Sequence, residues 1–293
     1  MDIWHRVGRI FRISNLGTLI FFLLNIGLIL AFFCPNGITV ETATPLVICY
    51  IITVLISLSP VGEWLFAAFA GAREIKRNDI KIRLIPLLEI VFEAAKQKTP
   101  SMVSSIKLKI IHDNSTNAFA IGRKTICVTD SLLNLSDEEI MAVLAHELGH
   151  IAYQHSVIQL LIGGANLFIS GFLVIIKCVC WVVTGILTII GLSTRSVLGT
   201  ILMTLFGSLS TVLVWLWTKF CMLFLMWSMR QNEFVADEYA YSIGYGNMLA
   251  YVLDRKMCSQ PENGLLKALY STHPHSDDRV ARLQNLGSSY SRY

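Results

Sequence analysis

The residues best placed to do chemistry are His146, Glu147 and His150, in the run His146-Glu147-Leu148-Gly149-His150. On a helix, two histidines four residues apart lie about 40° from one another around the axis, at roughly 100° per residue. Both imidazoles can then reach one metal ion, and Glu147 can work on a water held by it. This is the spacing of a hydrolytic zinc site in which the glutamate is general base. Such a site takes three protein ligands and keeps a fourth position open. The third ligand must come from elsewhere in the chain.

His155, His112, His273, His275 and nearby carboxylates are the candidates. With residues 137–155 read as one helix, His155 lies nine residues from His146, roughly 180° round the axis, and faces away. Glu233 fits better. It stands in Asn232-Glu233-Phe234-Val235-Ala236-Asp237, with Asp237 four residues on and on the same face. One carboxylate can bind the metal while the other accepts a hydrogen bond from the free ring nitrogen of a ligand histidine. Without the histidines the pair would read as two solvated acids on an amphipathic helix. His273 and Arg279 have two readings each. Either can stabilise the oxyanion of a reacting carbonyl; otherwise His273-Pro274 caps a turn and Arg279 pairs with Asp237.

The elements that must position these residues are mostly apolar. The chain has 293 residues, of which 54% are hydrophobic and only 15% charged, against about 25% charged in soluble domains. The mean hydropathy of +0.59 agrees. The basic residues flank apolar segments, which points to membrane topology and away from a nucleic-acid surface. The seven cysteines include no C-x-x-C pair, and they read as small buried hydrophobes, not as disulfides or thiolate ligands.

Leu16–Phe33 follows a basic start and is as long as a membrane span. No small-residue cleavage site follows it, so it is expected to be retained. A second apolar run starts at Pro45 and reaches Leu58 or Phe69. Glu63, near its end, reads either as a functional acid at membrane depth or as an interfacial residue beside Trp64. The loop between the runs carries Glu41 and no Lys or Arg, whereas Arg73, Lys76, Arg77, Lys81 and Arg83 follow the second run. The positive-inside rule then puts the chain after Arg73 in the cytoplasm.

Residues 84–95 are helical in pattern, and 106–110 and 125–129 read as strands. Ser136 with Glu139 forms a capping box at the start of the His146 helix. Residues 156–229 are intensely apolar, broken near 191–196. Because His146, His150 and Glu233 must meet on one side of the membrane, this stretch must cross it an even number of times, and two crossings fit its length. Residues 230–241 continue it as a helix, and 277–286 form a last one. The expected divisions are an N-terminal transmembrane hairpin (1–69), a catalytic part with the two histidines (70–155), a second hairpin (156–229) and a catalytic part with the third ligand (230–293).

The chain resembles the membrane zinc endopeptidases of the HtpX type, whose wider group includes the CAAX prenyl endopeptidases. The resemblance rests on His146 to His150, Asn232 to Asp237, Asn117-Ala118-Phe119-Ala120 before Gly122, Val128-Thr129 before Leu132-Leu133, and Ser271-Thr272-His273-Pro274 ahead of Arg279. It implies a mainly α fold with a small β-sheet, about four transmembrane helices and a cytoplasmic metallopeptidase domain. It further implies one Zn2+ per chain on His146, His150 and Glu233, Glu147 as catalytic glutamate, and an edge strand at Asn117 to Ala120 beside the cleft. Such a strand can hold an extended peptide. The implied partners are polypeptides, above all membrane proteins, and the implied role is proteolytic quality control in the cell membrane. The rival expectations are a CAAX-type processing protease, a non-hydrolytic zinc-binding scaffold, or a transporter. His275 stands where such relatives more often have a small residue, and 156–229 is longer than a plain hairpin needs.

Overall fold

Apolar length sets the frame of the molecule. A computed structural model describes residues 12–34, 36–193, 197–256 and 274–291. Helices α1 (Leu16–Phe33) and α2 (Val40–Ser57) have 18 residues each, about 27 Å at 1.5 Å per residue and close to the ~30 Å hydrocarbon core of a bilayer. A capping box of Thr39 and Thr42 starts α2. The second apolar run is not one helix. Ser59 caps a new one, α3 (Pro60–Phe69), whose first position is taken by Pro60, where the missing N–H costs no helical bond.

After α3 come β1 (Arg73–Glu74), α4 (Asn78–Lys98), β2 (Lys107–Ile111), β3 (Ala118–Ile121) and β4 (Thr125–Thr129). The four strands form one sheet in the order β1-β2-β4-β3. β2 and β4 run parallel, while β1 and β3 pair antiparallel with their neighbours. β3 is therefore an edge. Glu63 stands in the first turn of α3 beside Trp64, and its Oε1 accepts a hydrogen bond from Thr125 Oγ1 at 2.7 Å, which ties α3 to β4.

Helix α5 (Asp137–Ala152) starts at the expected capping box of Ser136 and Glu139. Thirteen of its 16 residues are buried, so it is held from every side. One long helix through residue 155 does not form. α5 ends at Ala152, and Gln154 has a left-handed backbone (φ 62°). His155 opens the next helix, α6 (His155–Ser193).

With 39 residues in α6 and 46 in α7 (Val197–Ser242), the two rods reach about 58 and 69 Å. The surplus over one membrane crossing accounts for the length of the apolar stretch. The first turns of α6 and the last of α7 are buried in the catalytic part, and α7 runs unbroken through residues 229 and 230. Helices α8 (Gly246–Arg255) and α9 (Ser276–Asn285) complete the fold. One core joins the sheet to α4, α5, α8 and the end of α7 through Leu84, Val91, Ile126, Leu144, Tyr239 and Leu249.

Among the described residues, four segments are long and apolar enough to cross a membrane: Ile13–Ala31, Val40–Ser57, Leu173–Ser193 and Gly207–Ser242. Six free cysteines are described. Cys34, Cys127 and Cys221 are buried as expected, but Cys49 and Cys178 are exposed on helix faces that carry outward-facing apolar residues.

Candidate active site

Three donors converge where α5 meets α7. His150 Nε2 lies 3.1 Å from His146 Nε2 and 3.3 Å from Glu233 Oε1, and His146 Nε2 lies 3.6 Å from Glu233 Oε2. All three side chains are buried, and their ligand atoms fall within 4.8 Å of one another. Metal–nitrogen bonds of about 2.0–2.1 Å give a tetrahedral edge of about 3.4 Å. Two imidazoles and a carboxylate at these separations fit a zinc-sized ion by both donor chemistry and spacing.

Gly149 makes the meeting possible. A Cβ there would lie 3.0 Å from Ala236 Cα and O and 3.2 Å from Tyr239 Cβ. The bare backbone lets α7 close on α5 one turn from Glu233. The two middle positions of the motif are therefore not equivalent, and the glycine is as much a part of the site as its neighbours. Its signal in the sequence was visible only beside the small Ala236 on the other helix.

The surroundings orient the donors. Asp237 Oδ1 lies 2.9 Å from His146 Nδ1, so Nδ1 keeps its proton, and when the ring gives up its second proton the Nε2 lone pair faces the other donors. Arg279 grips Asp237 with two bonds, Nε to Oδ2 at 2.7 Å and Nη2 to Oδ1 at 2.6 Å, and reaches Glu233 Oε2 with Nη1 at 3.1 Å. Both expected placements of Asp237 and Arg279 thus meet in one network. Burial alone would push the His146 imidazole down, but the hydrogen bonds to Asp237 and Glu233 outweigh it and hold it up at about 10. The pocket favours a positive charge at this point.

Glu147 Oε1 stands 4.0 Å from His146 Nε2. Burial raises its affinity for a proton, the two histidines oppose this, and the backbone N–H of Ala120 donates to its carboxylate. A buried carboxyl raised in this way takes up a proton more readily than an exposed one, which suits a base in proton transfer. Asn117, Ala118, Phe119 and Ala120 line the same cavity, which has a volume of about 720 Å³. β3, whose outer edge pairs with no strand among the described residues, forms one wall.

The other histidines part company. His112 is exposed, with its Nδ1 2.6 Å from Asp130 Oδ2, away from the cleft. His275 caps α9, its Nδ1 accepting from the Asp277 N–H. His273 lies outside the described residues. His155 overturns the expectation drawn for it: it is buried, lines the cavity, and places its Nδ1 3.2 Å from His150 Nδ1. The error came from reading 137–155 as one helix; the turn at Gln154 swings the ring back. Burial holds the His155 ring well below the usual imidazole range, with the neighbouring His150 acting in the same direction.

The sequence model described as peptidase family M48 matches residues 85–287. Over 94% of its length the chain is 27% identical to Protease HtpX of Cronobacter sakazakii, covering 97% of that protein. It is 26% identical to Protease HtpX of Klebsiella pneumoniae over the same shares. Among solved structures, Ste24p of S. mikatae has a similar fold, with a TM-score of 0.51 at 17% identity over 94% of this chain and 64% of that one.

Proposed function

The chain belongs to peptidase family M48 and is a metalloprotease, and on that premise we propose that it is a zinc-dependent endopeptidase of the membrane, acting at the cytoplasmic face on membrane or misfolded proteins. One observation carries the reading: His146, His150 and Glu233 converge beside Glu147 at the edge strand β3.

In this proposal His146, His150 and Glu233 hold the ion. When bound, it supplies Lewis acidity, which polarises a peptide carbonyl and acidifies a water. Glu147 takes the proton of the attacking water and delivers it to the leaving amine nitrogen. The substrate lies extended along Asn117 to Ala120, adding a strand to the free side of β3. The Ala120 N–H that donates to Glu147 keeps that carboxylate beside the scissile bond. Asp237 fixes the His146 ring, and Arg279 fixes Asp237.

The level of the site supports membrane-proximal substrates. Asn232 donates to Asn15 Oδ1 at 3.0 Å, and Ser228 donates to the Ser14 carbonyl. Glu233 is therefore one residue beyond the point where α1 begins its apolar run. The cytoplasmic assignment rests on the basic residues from Arg73 to Arg83 and their absence from the loop around Glu41. A reporter fused after residue 291 and one placed in that loop should report opposite sides.

Glu147→Gln tests the chemistry. The variant should keep its zinc while casein cleavage in detergent falls by about 10²–10⁴-fold, the usual contribution of general acid–base catalysis. Cleavage at the parent rate would refute the role given to Glu147.

A further inference from the structure

His150 needs a partner that Asp237 does not supply. A neutral imidazole carries one proton, so for Nε2 to face Glu233 and His146 with its lone pair, the proton must sit on Nδ1. The Nδ1 of His150 faces Nδ1 of His155 at 3.2 Å. We infer that His155 is the positioning residue for His150, accepting the Nδ1–H of that ligand and so fixing the tautomer and ring orientation in which His150 binds the metal. The inference rests on the metal site proposed above.

Three further observations support it. On a continuous helix, residues five apart point about 140° away from each other, so His155 reaches His150 only because Gln154 turns the chain through a left-handed conformation. A non-glycine residue there costs free energy, and such strain persists where the surrounding structure imposes it. The His155 ring is then held by Tyr153, stacked at 5.8 Å with 21° between planes. Finally, His155 Nε2 is buried without a hydrogen-bond partner among the described residues. A phenyl ring would fill that space with no such cost. The imidazole is justified by what its other nitrogen does.

The two ligand histidines are thus oriented by different groups. His146 Nδ1 meets a carboxylate, which adds negative charge to the site. His150 meets a neutral ring, which orients it without adding charge. Loss of such an outer partner typically weakens metal affinity by about 10–100-fold.

The test is zinc affinity of the full chain in detergent, measured by chelator competition on His155→Phe and His155→Asn. His155→Phe keeps the ring on Tyr153 but cannot accept; it should bind zinc about 10–100-fold more weakly. His155→Asn sets an amide oxygen where Nδ1 stood and should stay within about threefold of the parent. If packing were the role of His155, the order would reverse, and that result would overturn the inference. Equal affinity of His155→Phe and parent would overturn it too. Should His155→Phe not fold, 15N NMR of the zinc-loaded parent decides: the proton on Nε2 of His155 supports the inference, and the proton on Nδ1 overturns it. A parent that binds no zinc would instead refute the metal site itself.

Discussion

Replacing Glu233 by Gln separates its role as a ligand from any structural one. The substitution keeps the size of the side chain and removes one negative charge. The buried site holds three carboxylates, Glu147, Glu233 and Asp237, against the single permanent cation Arg279. With all three ionised and His146 protonated, as it is below about 10, the metal-free site carries a net charge of −1: three carboxylates against Arg279 and His146. Glu233→Gln reduces this to zero. The amide oxygen can still lie against the Arg279 guanidinium, whose Nη1 stands 3.1 Å from Oε2. The metal-free variant should therefore be as stable as the parent or more so.

The effect of added zinc should differ sharply. At 100 times its dissociation constant, a ligand stabilises the folded state by about 2.7 kcal/mol, which is about 5–10 °C in Tm for a chain of this size. If loss of the anionic donor weakens binding about 1,000-fold, the same zinc concentration adds less than about 0.1 kcal/mol. Thermal unfolding in detergent, with chelator and with zinc, reads both quantities. A variant that keeps the zinc-induced shift and cleaves casein at the parent rate would refute Glu233 as ligand. A variant that is unstable even with chelator would refute the charge argument.

Gly149→Val should force α5 and α7 apart, since even a Cβ would meet Ala236 at 3.0 Å; zinc affinity should fall by at least about 10-fold, and retained affinity in the folded variant would contradict the close approach. Gln154→Gly should leave stability unchanged or raise it by up to about 1 kcal/mol, whereas Gln154→Val should lower it by about 1–2 kcal/mol; thermal unfolding of the pair checks the sign. In chelator-treated protein, burial pushes His146 down but Asp237 and Glu233 raise it to about 10. Its stabilising contribution is therefore full below about 6.5 and lost as pH rises through about 10. The chelated protein should lose Tm over that range, Asp237→Asn should lessen the loss, and a Tm that rises with pH would show the sign to be wrong.

The site was legible where it depends on spacing within one element. His146, Glu147 and His150 share a helix face, and so do Glu233 and Asp237, because residues four apart on an α-helix must. The requirement that both pairs meet also limited the number of crossings between them. Features that depend on a break in a periodic pattern were hidden. Residues 153–155, Tyr-Gln-His, contain neither Gly nor Pro, so nothing announced the left-handed turn at Gln154 or the return of His155. Glu63 was equally obscure: its partner, Thr125, lies 62 residues away on β4, and no local pattern connects an acid at a helix start to a strand.

The length of the second hairpin, odd as a pair of membrane crossings, fits the geometry of the proposed metal site. α7 is a single rod that contains both its apolar span and Glu233. From Gly207 to Glu233 the rod is about 39 Å long, so a tilt of about 1° at its far end moves Glu233 by about 0.7 Å. A metal site tolerates only about 0.2 Å in its bond lengths. The rod must therefore be pinned near the ligand. Asn15 against Asn232, the Ser14 carbonyl against Ser228, and Gly17, where a Cβ would lie 2.1 Å from the Phe224 carbonyl, pin it from α1 and its approach. Gly149 against Ala236 pins it from α5. The N-terminal apolar helix thus braces the rod that carries Glu233, and α1, α5 and α7 form one mechanical unit at this point.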